Sequence, residues 1–158
     1  LLLTINRIPQ LYYGTEVLMN GTKEVTDGNV RCDFPGGFAG DKHNAFTAEG
    51  RTKAENAMFN WLSKLLKWRR NNMVITKGKQ IQFIPYKGVY VIARQWNDQT
   101  ILTILNGTSQ PVTLPLDRYA EVIGNHQEAK DVISGRKVKL GSELQLKARD
   151  TKVIELSM

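Results

Sequence analysis

Asp27 and Arg31 stand four residues apart in a glycine-rich stretch. A carboxylate can accept hydrogen bonds from two neighbouring hydroxyls, and a guanidinium can both donate to a ligand and orient that carboxylate. The pair therefore suits contact with a ligand that presents neighbouring hydroxyls. It equally suits an exposed loop ion pair that contributes little, and the spacing leaves both readings open. Glu16 invites a catalytic role, but a structural one fits it better, with loop amides or an arginine satisfying its oxygens. Tyr13 could line a cleft, and Phe34 and Phe38 could stack on a ligand's face, but Tyr13 is read first as core and the two phenylalanines as loop anchors. Trp96, beside the Asn97-Asp98 turn, is read the same way. Asp27-Gly28-Asn29 hints at a calcium loop, but Arg31 takes the next alternate position, where an oxygen ligand is wanted. Cys32 is the only cysteine, so no internal disulfide and no cysteine zinc site can form. His43 and His126 do not have the spacing of a helical metal-binding pair. The residues call for no metal and no cofactor.

These side chains need elements to hold them. Ile8–Gly14 is a short apolar, aromatic run without alternation, which predicts a strand buried on both faces. A long irregular stretch follows, from about Thr15 to Gly50, rich in glycine. Structureless loops of more than about 15 residues are uncommon and usually functional. Thr52 and Glu55 then form a capping box, and Ala54, Met58, Trp61, Leu62, Leu65 and Leu66 recur at helical spacing. The helix is expected to end near Asn71-Asn72. Beyond Val74 the pattern turns to β. Expected strands are Lys79–Tyr86, Val89–Trp96, Thr100–Leu105, Gln110–Leu114, Lys130–Ile133, Lys137–Leu140, Glu143–Lys147 and Lys152–Leu156, the second and third joined as a hairpin. One strand, one loop and one helix cannot bury their own faces, so residues 1–73 read as the last segment of a larger β/α barrel. Residues 74–158 read as an antiparallel β-sandwich. The fold class is α+β.

The chain has 158 residues, 41% of them hydrophobic, enough for a packed core. No apolar run reaches the ~18 residues of a membrane span. Leu1-Leu2-Leu3 is too short for a signal-peptide core, and Leu1 reads as an internal position of a longer protein. The net charge is +7. The basic residues are dispersed, and Lys64, Lys67, Arg69 and Arg70 read as the solvated, dipole-compensating end of the helix. Lys137 and Lys139 share one strand face without an aromatic, so nucleic-acid binding, which wants the two interleaved, is not expected.

The residues Ile8-Pro9-Gln10-Leu11-Tyr12-Tyr13-Gly14-Thr15-Glu16 resemble the last barrel strand of the α-amylase family, with Arg7 where that family usually has glycine. Met58–Arg69 resembles its final barrel helix. Gly88–Val91, Thr100–Asn106 and Asp131–Gly135 resemble its C-terminal β domain. The similarity is nearest to the cyclomaltodextrinase and neopullulanase branch. It implies the C-terminal part of an enzyme that hydrolyses α-1,4-glucans (starch, pullulan, cyclodextrins) with retention, through carboxylates placed after earlier barrel strands. This chain is expected to lack them, to be inactive alone and to play a supporting role. In that family the Asp27–Arg31 pattern contacts a sugar on the non-reducing side of the cleaved bond. The expected partner is an α-glucan oligosaccharide, and the branch suggests a bacterial, periplasmic setting. Without its barrel neighbours, the apolar surface around Leu11, Leu62 and Leu65 is expected to be exposed and to favour a homodimer, strand rearrangement or folding back. The alternative is a non-catalytic carbohydrate-binding β module, which would need a coplanar row of exposed aromatics.

Overall fold

In a computed structural model, which describes residues 1–156, the chain forms two compact units. One is Pro9–Lys64, and the other joins Leu1–Ile8 to Leu65–Met158.

The larger unit is built on eight strands: β1 (Lys79–Gln82), β2 (Val89–Trp96), β3 (Gln99–Asn106), β4 (Val112–Pro115), β5 (Glu128–Asp131), β6 (Lys137–Lys139), β7 (Glu143–Leu146) and β8 (Thr151–Leu156). Six form one sheet in the order β1-β2-β3-β8-β5-β6, and β4 pairs with β7 in a second. All pairings are antiparallel. The β2–β3 hairpin turns at Asn97, which takes a left-handed φ of 53°, a conformation asparagine tolerates better than most residues. Alternation then sorts the side chains by face. Val89, Val91 and Ala93 share one face with Leu102, Ile104 and Ile154. That face packs with Leu114 and Leu146 of the small sheet and with Leu116, Tyr119, Val122 and Ile123. Tyr119, Val122 and Ile123 belong to a 3-10 turn (Asp117–Tyr119) and the short helix that follows it, and Leu116 caps the turn's start, a segment absent from the sequence reading.

The opposite face is also covered. Ile92, Arg94, Ile101, Thr103 and Val153 point away from that core, and all are buried. A five-residue helix, Met73–Lys77, packs on β2 and β3 with Val74 and Ile75 fully buried. Asn72 therefore does not merely end the long helix. Its side chain accepts from the Ile75 amide at 3.1 Å and caps this second one.

Asn106 locks the loop after β3. Its Nδ2 donates to the carbonyls of Gln110 and Lys147, both at 2.8 Å, and its Oδ1 accepts from the Thr108 amide and hydroxyl.

The long helix, α1, runs from Lys53 to Arg70. Its capping box is formed in full: the Glu55 amide donates to Thr52 Oγ1 at 3.2 Å, and the Thr52 amide donates to Glu55 Oε2 at 2.7 Å. Leu62 and Leu65 are buried, against the expectation that this face would be exposed.

Pro9–Lys64 contains α1's first turns and two short 3-10 helices, Thr15–Val17 and Asp27–Arg31. The strand expected over Ile8–Gly14 is not formed. A strand exists only as one half of a ladder, and no described residue pairs with this segment. Ile8 is 95% exposed, and Tyr12 and Tyr13 are exposed as well.

Candidate functional site

Asp27 and Arg31 are the first and last residues of their 3-10 helix. Thr26 starts it: its backbone is extended, and its Oγ1 accepts from the Asn29 amide at 3.1 Å. The Asn29 side chain in turn accepts from the Thr22 amide at 2.7 Å. Gly21 is required at this contact, because a Cβ there would lie 2.1 Å from the Asn29 carbonyl oxygen. Past the helix, the Tyr13 hydroxyl donates to the Cys32 carbonyl at 2.8 Å. The Cys32 thiol contacts the Asn29 carbonyl at 3.3 Å. The short helix is thus tied at both ends by side chains that sequence alone does not link.

The helix type decides how its ends relate. With about three residues per turn, residues four apart point about 120° from each other and are separated by about 8 Å along the axis. In an α-helix the same spacing would put both on one face. Asp27 and Arg31 are both exposed, and they form no ion pair among the described residues. The loop salt bridge that the spacing allowed is therefore not made, and both side chains are directed to solvent.

Beside this helix lies a groove of about 290 Å³, lined by Tyr12, Tyr13, Met19, Gly21, Asn29 and Cys32 among others. The Tyr12 and Tyr13 rings meet at 4.6 Å with a 40° tilt. Both rings are open to solvent, so Tyr13 is a groove residue and not a core one. Desolvation, followed by the Tyr12 hydroxyl and the nearby Asp33 and Cys32, raises the Tyr13 phenol above its ordinary value. It stays a hydrogen-bond donor at neutral pH. The doubled tyrosine is visible in the sequence, but an apolar run without alternation assigns Tyr12-Tyr13 to a strand interior and not to a groove.

The other candidates fall in varied places. Glu16 is half-buried in the first 3-10 helix and forms no ion pair among the described residues, so neither an arginine nor a lysine satisfies it there. Phe34 packs on Phe46 at 4.6 Å, as an anchor should, whereas Phe38 is 65% exposed. The 36–41 turn is held by Asp41, whose Oδ2 accepts from the amides of Gly36 and Phe38. His43 Nε2 lies 3.0 Å from Glu55. Trp96 is half-buried at the end of β2. Among the described residues, no three acidic, histidine or cysteine side chains gather as a metal site would need. No helix is long and apolar enough to cross a membrane.

Residues 80–155 match the cyclomaltodextrinase C-terminal domain family. Over 157 residues the chain is 26% identical to a cyclomaltodextrin glucanotransferase of Geobacillus stearothermophilus, covering 94% of this chain and 19% of the relative. A cyclomaltodextrin glucanotransferase of Niallia circulans is 27% identical over 140 residues, covering 84% of this chain and 17% of its own length. The chain thus spans about one fifth of the curated relatives it matches. An α-amylase of Geobacillus thermoleovorans, solved with acarbose, superposes over 99% of this chain and 31% of its own with a TM-score of 0.73, at 24% identity. An Anoxybacillus α-amylase does so over 99% and 30% with a TM-score of 0.68, at 19% identity. At these identities the two structures speak for the fold alone.

Proposed function

We propose, from the premise that this chain is related to the C-terminal part of α-amylase-family enzymes, that it is the non-catalytic end of a retaining glycoside hydrolase acting on α-1,4-glucans. In this reading residues 1–73 are the close of the catalytic barrel and residues 74–158 its supporting β-sandwich. The observation that carries it is the family match over residues 80–155, joined to curated relatives whose similarity runs through the preceding residues as well. The catalytic carboxylates lie in the rest of the longer enzyme. The β domain supports the barrel, and the loop bearing Asp27 and Arg31 contributes a sugar contact.

The chemistry of that contact follows from the loop. Asp27 and Arg31 are committed to no ion pair within the described residues and are presented on a short, firmly tied helix. A carboxylate free to accept from two sugar hydroxyls, and a guanidinium free to donate, fit an oligosaccharide. The exposed apolar residues Ile8, Tyr12, Tyr13 and Leu18 fit surface that the rest of a barrel covers. In the isolated chain a second copy would cover it.

The test is substitution in the longer enzyme. Asp27→Asn and Arg31→Met are expected to lower kcat/KM on maltooligosaccharides by about tenfold or more, the cost of leaving a charged hydrogen-bonding group without its partner, with the thermal transition unchanged. Unchanged kcat/KM in both variants would remove these residues from the substrate site. The carbohydrate-binding-module alternative has no support of this kind, since Trp96 is half-buried and no row of exposed aromatics lies on the sheet.

A further inference from the structure

Among the described residues, Arg94 is the largest fully buried side chain. It sits on β2 among Ile92, Ile101, Thr103 and Val153, on the sheet face opposite the main core. A buried cation is costly unless it is paired, yet no carboxylate meets it among the described residues. Its partners are main-chain carbonyls instead. Nη1 donates to Thr4 at 3.1 Å and Nη2 to Gly78 at 2.7 Å, while Nε has no partner. Burial, and then the nearby charge of Arg69, lower its pKa from the ordinary guanidinium value.

Arg69, on the last turn of α1, behaves the same way. Its Nη1 donates to the Leu3 carbonyl at 2.7 Å and its Nη2 to the Arg7 carbonyl at 3.1 Å. Gln80 of β1 adds a third hold, its Oε1 accepting from the Asn6 amide at 2.7 Å. Residues 3–7 are therefore held from three elements through their main chain. Gly78 is part of the fit: a Cβ there would stand 2.2 Å from the Val74 carbonyl oxygen and 2.8 Å from that of Gln95.

The chain passes into Pro9–Lys64 through residues 7 and 8, and returns along α1 toward Arg69. We infer that Arg69 and Arg94 form a main-chain-reading clasp that fastens residues 3–7 to the β domain and so ties together the two points at which the chain leaves and rejoins it. The clasp reads carbonyls, so it depends on the two guanidiniums and not on the side chain of Arg7. A forked guanidinium can span two carbonyls at once; a lysine ammonium, as a point charge, cannot hold the same geometry. Two like charges near each other, with no carboxylate partner among the described residues, make the clasp the first tertiary contact of this unit to open, ahead of the sheet.

Amide hydrogen exchange and limited trypsin cleavage test this on the chain itself. Arg69→Met is expected to speed exchange at the Asn6 amide and cleavage after Arg7 by about tenfold or more. Exchange at the paired amides of β2 and β3 should not change. Arg94→Lys should give the same pattern, and Arg7→Lys, which keeps a trypsin site, should leave both readouts as in the parent sequence. Should replacement of Arg94 prevent folding, Arg69→Met and Gln80→Ala decide, because both side chains lie at the rim. Unchanged exchange and cleavage in Arg69→Met, or acceleration in Arg7→Lys, would overturn the clasp.

Discussion

Asn106 illustrates how one side chain can do what sequence attributes to a turn. Asn106-Gly107 was legible as a turn signal, but the buried amide uses both its donors and its acceptor to join three backbone segments. Asn106→Ala is expected to lower stability by about 1–3 kcal/mol, because it removes the hydrogen bonds that the buried Asn106 amide makes to the Gln110 and Lys147 carbonyls and to Thr108; a denaturant titration at constant m-value measures this. Asp27 and Arg31 were legible only as a pair. Their spacing could not tell an α-helix from a 3-10 helix, and that difference decides whether they face each other. Arg94 was not legible at all. Within Val89–Trp96 it reads as the exposed side of a strand, and its burial comes from a second cover on the sheet that local pattern does not announce.

At the scale of elements, the helix and the sheet follow from short-range rules. The capping box and the stripe from Ala54 to Leu66 define α1, and the Asn97-Asp98 turn defines the β2–β3 hairpin. The Thr52 amide, and then the Thr52 hydroxyl and His43, hold the Glu55 carboxyl below the ordinary glutamate value. A depressed carboxylate contributes stability that is complete above its unfolded pKa and is lost as pH falls through its folded pKa. The first turn of α1 is therefore expected to loosen on acidification below the usual glutamate range, with Glu55→Gln showing a flatter pH profile. Amide exchange at Glu55 and Asn56 across that range checks it, and a profile unaffected by the substitution would contradict it. The strand over Ile8–Gly14 failed for a reason that is not local. Its apolar run is sound, but strand structure needs hydrogen-bonding neighbours, and among the described residues it has none. The short helices at Met73–Lys77 and Ala120–Ile123 are too brief to show a period of 3.6.

At the scale of the molecule, the β domain and the preceding residues differ in how much of themselves they cover. The central strands β2, β3 and β8 are buried on both faces, whereas Ile8, Tyr12, Val25, Phe38 and Phe46 remain exposed. Composition could bound this outcome without locating it, because which apolar faces are covered depends on which elements are present to cover them. In the proposed function, Asp27 and Arg31 offer a sugar contact, while the paired carboxylates that retaining hydrolysis needs belong to the rest of the longer enzyme. We propose that this chain supports a glucan hydrolase without performing its chemistry. A reducing-sugar assay on the isolated chain with starch, pullulan and cyclodextrin tests it most directly. No release above background is the result predicted, with release restored when the longer enzyme is assayed alongside. Turnover by the chain alone, abolished by Glu16→Gln or Asp27→Asn, would contradict it.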